Sequence, residues 1–486
     1  MHLWPDVNNP IERRSSVLDY IRKEADGQLA ITQSTDFLMI PSCLYGFHNT
    51  GTTTKTAKSG RNVFCFEGTL APGEEDLRCS CGSKMHVNNH PGITLRHLPF
   101  GGNLSCVSFK RNQYACPKCG TTKTQFISFK APGHMITEEL YQYTRELLAS
   151  GVYTNKEVAD ITGLGKNTVK DIDKERLQEL YTTVDGKLIN PEKPAKFLGI
   201  DEFKLHNGHR YATHIIDMET GHILWIAGGK KKQVVYDFIE HVGLKWMDQV
   251  EAVACDMNSD FQEAFEEKCP HIQPVFDYFH IVKNFNDKVV SEVRKNEQRR
   301  LTEEGNIEAA RALKKTRYIL MSSRKTLQAK DADAREERVI HKGSSLFKTD
   351  SIVRKEGYEE RYDSLLQENR LLFTLDLIKE KLTLAYSRKD EAVMAEDIIS
   401  IMDTCKATNN PHLMWFERLL SNHFEGIIAH ATYDISAARI EGINNKIKTL
   451  RRQGYGYPDD EYFFLKLFDM SRKAYERNPK SHKICD

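Results

Sequence analysis

Three carboxylates and four cysteines carry most of the chemistry open to this chain of 486 residues. Asp201 closes the apolar run KFLGID, and Asp256 closes VEAVACD. Glu441 lies in ARIEGINNKIKTLRRQGYGY, residues 438–457. At helical pitch, Ile440, Ile443, Ile447 and Leu450 share one side of that segment. Glu441 is the only acid on the other side, among Asn444, Asn445, Lys448, Arg451 and Arg452. Two aspartates held close repel unless a cation lies between them. Oxygen ligands without a thiolate or imidazole set favour Mg²⁺ or Mn²⁺. Two such ions, about 4 Å apart, suit phosphodiester cleavage, and Glu441 would complete their cage. The amides and cations around it suit phosphate oxygens. Spacing alone leaves plainer readings open: a strand-end Asp is also a turn or cap residue, and a charged helix face is also a solvated one. Gly442, in mid-helix, costs roughly 1 kcal/mol against Ala and so points to a packing or close-approach role.

The cysteines form the second constellation. LRCSCGSK and YACPKCGTT each set two cysteines on a tight turn before Gly, with strand-like stretches (GITLRHL, LSCVSFKRNQYAC) between them. That is the layout of a zinc ribbon holding one Zn²⁺ through Cys79, Cys81, Cys116 and Cys119. The second knuckle is C-x2-C. The first is C-x-C, one residue short, so His86, His90 and Cys106 stand as alternative ligands.

A third pattern follows at residues 132–180. A helix over about Glu138–Ala149 ends near Ser150-Gly151, and Thr154 with Glu157 forms a capping box for a second helix. Gly163 to Gly165 then make a tight turn before a third helix that begins near Lys166 or Asn167. Helix, tight turn and helix make a helix-turn-helix. Its first turns would offer Lys166, Asn167, Thr168, Lys170 and Asp171 to a major groove. Three packed helices of any domain would look the same.

The elements that must position the carboxylates come after a polar, Pro-containing linker at 181–195. Apolar runs and amphipathic stretches then alternate as β-β-β-α-β-α-β, with acids where strands run out, as ligand sites in open α/β sheets require. If the first and fourth strands are neighbours, Asp201 and Asp256 face each other. Glu202 would point to the opposite side of the strand. Lys and Arg (69) balance Asp and Glu (68), so global charge says nothing about nucleic acid. Residues 281–350 carry 17 Lys and Arg against 11 Asp and Glu, an excess that suits DNA or a solvated helical surface equally. No segment has the make-up of a secretion signal or membrane span, so a cytoplasmic protein with no membrane partner is expected. Residues 1–76 give no functional reading.

Four blocks, FLGIDEFKLHNGHRYATHIIDMETGHILWIAGG, ACDMNSDFQEAFEEKCP, VFDYFHIVKNFN and RIEGINNKIKTLRRQGYGY, occur in one order. Together they resemble the ISL-three family of bacterial insertion-sequence transposases, over roughly residues 77–470. The resemblance implies a multidomain α/β chain whose RNase H-like catalytic core is interrupted by an α-helical insertion and preceded by the zinc ribbon and helix-turn-helix. It implies a DDE transposase with Asp201, Asp256 and Glu441 on two Mg²⁺ or Mn²⁺ ions. Its partners would be double-stranded DNA, both terminal inverted repeats and target, and other copies of the chain in a dimer or larger assembly. Asn444, Asn445, Lys448 and Arg452 become candidate DNA contacts. Asp277 and His280 fall in a family block as an auxiliary ligand and a DNA- or water-positioning group, or as a structural pair. The expected divisions are 1–76, zinc ribbon 77–131, helix-turn-helix 132–180, linker 181–195, core 196–285, helical insertion 286–430, and last core helix with tail 431–486. Before Glu441 the chain reads SAARIEG, where the family more often has Asn-Gly after the Ser. Two rivals remain: a DNA-binding regulator with an inactive core, and an RNase H-like nuclease that cuts without strand transfer.

Overall fold

Thr-rich and aromatic stretches are natural strand formers, and two of them open the structure. The computed structural model describes residues 44–473, apart from 45, 72–76, 207, 209, 258, 336–356, 434, 436–437 and 455–456. Residues 1–43, Ser436, Ala437 and the end of the basic stretch, 336–350, therefore lie outside the described residues. The chain divides into two units, one reaching Lys187 and the other starting at Leu188.

The first unit holds strands β1 (Phe47–Thr56), β2 (Asn62–Leu70), β3 (His86–Asn89), β4 (Gly92–Phe100), β5 (Asn103–Lys110), β6 (Gln113–Ala115) and β7 (Thr122–Thr124). They form a four-stranded sheet, β1-β2-β5-β4, and a three-stranded one, β3-β6-β7. Phe66, Leu95, Val107 and Phe109 bury one face of the larger sheet against Ile127 and Phe129. The expected division at residue 76 does not separate these sheets, because β1 and β2 pair into the same sheet as β4 and β5. The strand-like stretches expected inside the cysteine unit are thus shared: GITLRHL and LSCVSFK belong to the larger sheet, and only QYA stays with the cysteines. Period-2 alternation marks a strand but not its partner, which is why the sequence misassigned them.

Helices α1 (Glu138–Ala149), α2 (Asn155–Thr162) and α3 (Lys166–Tyr181) follow. They close around Leu140, Leu148, Val158, Val169 and Ile172. The capping box is present: Thr154 Oγ1 accepts from the Glu157 N–H, and Glu157 Oε2 accepts from the Thr154 N–H at 2.7 Å. Gly163 ends α2 at φ 73°, a left-handed turn that favours glycine.

The second unit is built on a five-stranded sheet of β8 (Phe197–Lys204), β9 (Tyr211–Asp217), β10 (Ile223–Gly228), β11 (Ala252–Ala254) and β12 (Gln273–Val275). Its order is β10-β9-β8-β11-β12. The first three strands are antiparallel, while β11 runs parallel to both β8 and β12. Leu198 and Ile200 point to one face, into a core with Val235 and Phe238 of α4 (Lys232–Val242) and Phe261 and Phe265 of α5 (Ser259–Lys268). The same core runs on through α7 (Arg370–Ala385), α8 (Glu391–Ala407) and α9 (Pro411–Asn422), beyond the short α6 (Tyr278–Asn284). The helical stretch between Asp256 and Glu441 therefore shares its apolar core with the sheet. On the opposite face lie α10 (Ala438–Gln453) and α11 (Asp460–Arg472). Phe203 meets Phe463 of α11 there, with ring centroids 6.4 Å apart. No helix among the described residues is long and apolar enough to cross a membrane.

Candidate active site

β8 alternates, so Gly199, Asp201 and Phe203 point away from the face used by Leu198 and Ile200. Asp201 is not at the end of its strand, as the apolar run suggested, but inside it. The charged EFK segment also pairs, Lys204 opposite Tyr211, because the hairpin with β9 supplies partners that hydropathy does not reveal. The parallel register sets Gly199 opposite Ala254. Asp201 and Asp256 are each two residues past that pair, Asp201 within β8 and Asp256 just beyond the end of β11. Asp201 Oδ1 accepts from the Glu202 N–H at 2.7 Å, and Asp256 Oδ1 accepts from the Met257 N–H at 2.7 Å.

Helix α10 reaches this face through Ile440. A β-carbon on Gly199 would lie 2.4 Å from Met218 Sδ and 2.9 Å from Ile440 Cδ1, so only glycine admits that packing without a shift. Asn444, one turn on, donates from Nδ2 to Asp201 Oδ2 at 2.6 Å. Its side chain therefore faces a candidate metal ligand, where the sequence reading had it facing DNA. Glu441 lies one turn before Asn444 on the same helix side and is exposed. Gly442 is open, with nothing within 4 Å of where a β-carbon would sit, so the close approach expected there belongs to Gly199 instead. Asn445, Lys448 and Arg452 are exposed. Arg451 donates to the Lys204 carbonyl.

Among the described residues, the three acids do not draw their oxygens into one group within 4.8 Å; only Cys79, Cys81, Cys116 and Cys119 do so. A two-ion site spans about 4 Å between its ions, so its outer carboxylates need not approach that closely. The donor set, all carboxylate oxygen, fits hard divalent cations. Glu202 faces the other way, as alternation requires. Burial pushes its carboxyl up, Lys230 opposes this, and Asp201 and Asp256 add to it. Asp277 caps α6, its Oδ2 accepting from the Phe279 N–H at 3.2 Å, and its carbonyl accepts from the His280 N–H. The cap gives Asp277 a structural task, while His280 Nδ1 is buried without a hydrogen-bond partner among the described residues.

Two residues beside the acids escaped the sequence reading. His214 on β9 pairs with Asp201 across the strands and is fully buried. Burial pushes its imidazole down to about 4, with the Asp201 charge pulling the other way. His423 packs edge-on to Phe276 at 5.0 Å, close enough to feel the Asp256 charge. A lone His, in an apolar strand for His214 and between two helices for His423, carries no local signal of either placement. For Gly199 a signal existed, because a Gly two residues before a strand Asp marks close approach on the Asp side.

The cysteine cluster is compact. Cys79 Sγ lies 3.4 Å from Cys119 Sγ, and Cys81 Sγ 3.5 Å from Cys116 Sγ. A tetrahedral Zn²⁺ with Zn–S near 2.3 Å spaces its sulfurs about 3.8 Å apart, so the four fit one ion. The short first knuckle closes tighter: Gly82 N–H bonds to Cys79 O, three residues back, whereas Gly120 N–H reaches Cys116 O, four back. The Thr121 hydroxyl and N–H, with neighbouring thiols, lower Cys119 to about 6. Cys116 moves to about 11; the Cys119 N–H would lower it, but burial and the adjoining thiols outweigh that. His86 and His90 stand outside the group. Cys106 sits opposite Cys65 in the larger sheet, where burial pushes its thiol up to about 12. On α3, Lys166, Asn167 and Asp171 are exposed, and Thr168 and Lys170 are half-buried.

A family model described as a transposase, of the ISL-three DDE type, matches residues 198–467. The chain is 27% identical over 400 residues, 82% of its length and 89% of the relative's, to the transposase for insertion sequence element IS1001 of Bordetella parapertussis. It is 27% identical over 264 residues, 54% of its length and 56% of the relative's, to the transposase for insertion sequence element IS1557 of Mycobacterium tuberculosis.

Proposed function

Because the chain belongs to the ISL-three family of DDE transposases, we propose that it binds the terminal inverted repeats of an insertion sequence and moves that element by two-metal-ion DNA cleavage and strand transfer. The observation that carries this reading is the shared register of Asp201 and Asp256, two residues past the Gly199–Ala254 pair, with α10 packed on the same face. The sheet order, three antiparallel strands followed by two parallel ones, supports an RNase H-like core formed by 196–285 and 431–486 around the helical insertion 286–430. The cysteine cluster supports a zinc ribbon, and α2–α3 with their Gly turn support a helix-turn-helix.

Asp201, Asp256 and Glu441 would hold two Mg²⁺ or Mn²⁺ ions, which supply charge stabilisation to the attacking and leaving oxygens. Asn444 fixes the Asp201 carboxylate through its amide hydrogen bond. Lys448 and Arg452, exposed on the same helix, meet phosphate oxygens. Water attacks phosphorus at each element end and releases a 3′-hydroxyl. That hydroxyl attacks a target phosphodiester in line. No side chain acts as a covalent nucleophile. Joining two ends requires a dimer or larger assembly.

The test incubates purified protein with labelled end DNA and Mg²⁺ or Mn²⁺. Wild type should nick and join. Asp201→Asn, Asp256→Asn and Glu441→Gln should each lower strand transfer about a thousandfold or more while still binding DNA. Cleavage without joining would favour the nuclease reading. DNA binding with no metal-dependent cleavage would favour the regulator. Wild-type activity in Glu441→Gln would sink the proposal.

A further inference from the structure

Residues 77–137 contain eight Lys and Arg and no Asp or Glu, in a chain whose acids and bases otherwise nearly cancel. Four thiolates on one Zn²⁺ would subtract two charges and still leave the segment strongly positive. Three of these cations gather. Arg111, Lys123 and Lys130 line one groove of about 640 Å³, together with Phe126, and no acid among the described residues lines it.

Phe126 is 74% exposed, whereas its neighbours Gln125 and Ile127 are buried. Gln125 is clamped: its Nε2 donates to Ala71 O at 3.0 Å, and its Oε1 accepts from the Asn112 N–H at 3.0 Å. Ile127 packs into the core of the larger sheet. These two anchors set residue 126 facing outward. An exposed aromatic ring among cations is poor design for a merely solvated surface. It suits a polyanion that also offers apolar edges, and a DNA duplex presents phosphates beside the sugar and base edges of its minor groove.

We infer that this groove is a DNA-contacting surface separate from α3, gripping the duplex backbone through Arg111, Lys123 and Lys130 with Phe126 against the minor groove. The choice of DNA as ligand rests on the transposase reading; the charge and shape of the groove do not. Contacts of this kind add affinity without reading sequence, and they are salt-dependent through the counterions that phosphates release.

The test is fluorescence anisotropy of the full chain on a labelled duplex of arbitrary sequence, across a salt series, with zinc content measured for each variant. Combining Arg111→Ala, Lys123→Ala and Lys130→Ala should weaken binding about tenfold or more and make the slope of log affinity against log salt shallower by about two to three. Phe126→Ala should weaken binding several-fold with little change in slope. An unchanged slope and affinity in the triple variant, at wild-type zinc content, overturns the inference. Should the triple variant lose zinc, the single exposed change Lys123→Gln decides: a slope shallower by about one supports the groove, and an unchanged slope overturns it. Tighter binding to duplex RNA than to duplex DNA also overturns it. Cleavage is scored separately, so a wild type that fails to cut removes the transposase reading while the slopes still decide the groove.

Discussion

Asn444 shows how far residue type alone reaches. As an amide beside cations on a polar helix face it reads as a phosphate contact, yet its Nδ2 is committed to Asp201. Asp201 and Asp256 were legible as candidates because acids after apolar runs stand out, and Glu441 because it is the only acid on its helix face. Their mutual placement was not, because it depends on a strand register made between residues about fifty positions apart. His214 was silent for the same reason. Unfolded, its imidazole takes a proton near pH 6.5; folded, burial delays this to about 4. Between those values the unfolded state binds more protons, so stability is full above about pH 6.5 and falls as pH drops toward 4. Denaturant unfolding should show a loss of about 2 kcal/mol from this group between pH 7 and pH 5. His214→Phe should flatten that part of the profile, and an unaltered profile would show that the group does not titrate as its burial implies.

Elements were legible where their signals are local. The Thr154–Glu157 capping box and the Gly163 turn are written in a few consecutive residues, and both are present. Strand β1 carries mixed signals, because its Thr run sits among Gly and Asn, although Thr is β-branched and suits a strand. The three-residue β11 owes its existence to parallel partners on both sides. The contact that matters most between elements is α10 over Gly199. Gly199→Val should destabilise the protein by about 2 kcal/mol or more through overpacking against Met218 and Ile440. Adding Ile440→Ala should cost less than the sum of the two single changes, because it vacates the contested space. Strict additivity in thermal or denaturant unfolding would show that the two side chains do not compete.

At the scale of the molecule, the two units differ in what holds them together. The sheet of the second unit shares a long apolar core with the helices of its insertion. By contrast, β3, β6 and β7 close over a small cluster of Cys79, Met85, Tyr114 and Cys116, with Leu77 against it. A core of that size cannot offset the ordering of its loops, so metal binding would supply the difference. The protein should therefore be isolated with about one Zn²⁺ per chain. Chelation should abolish hydrogen-exchange protection in β3, β6 and β7 while β8–β12 keep theirs. Full protection after complete metal removal would contradict this.

The distance between Asp256 and Glu441 along the chain has a consequence in time. A ribosome must add 184 intervening residues after Asp256 before it makes Glu441. At ordinary rates of synthesis that takes roughly ten to forty seconds. Throughout that interval the cysteine-bearing sheet and helices α1–α3 have already been made. A message broken or a reading frame lost anywhere in those residues yields a chain with two of the three carboxylates and everything up to Lys187.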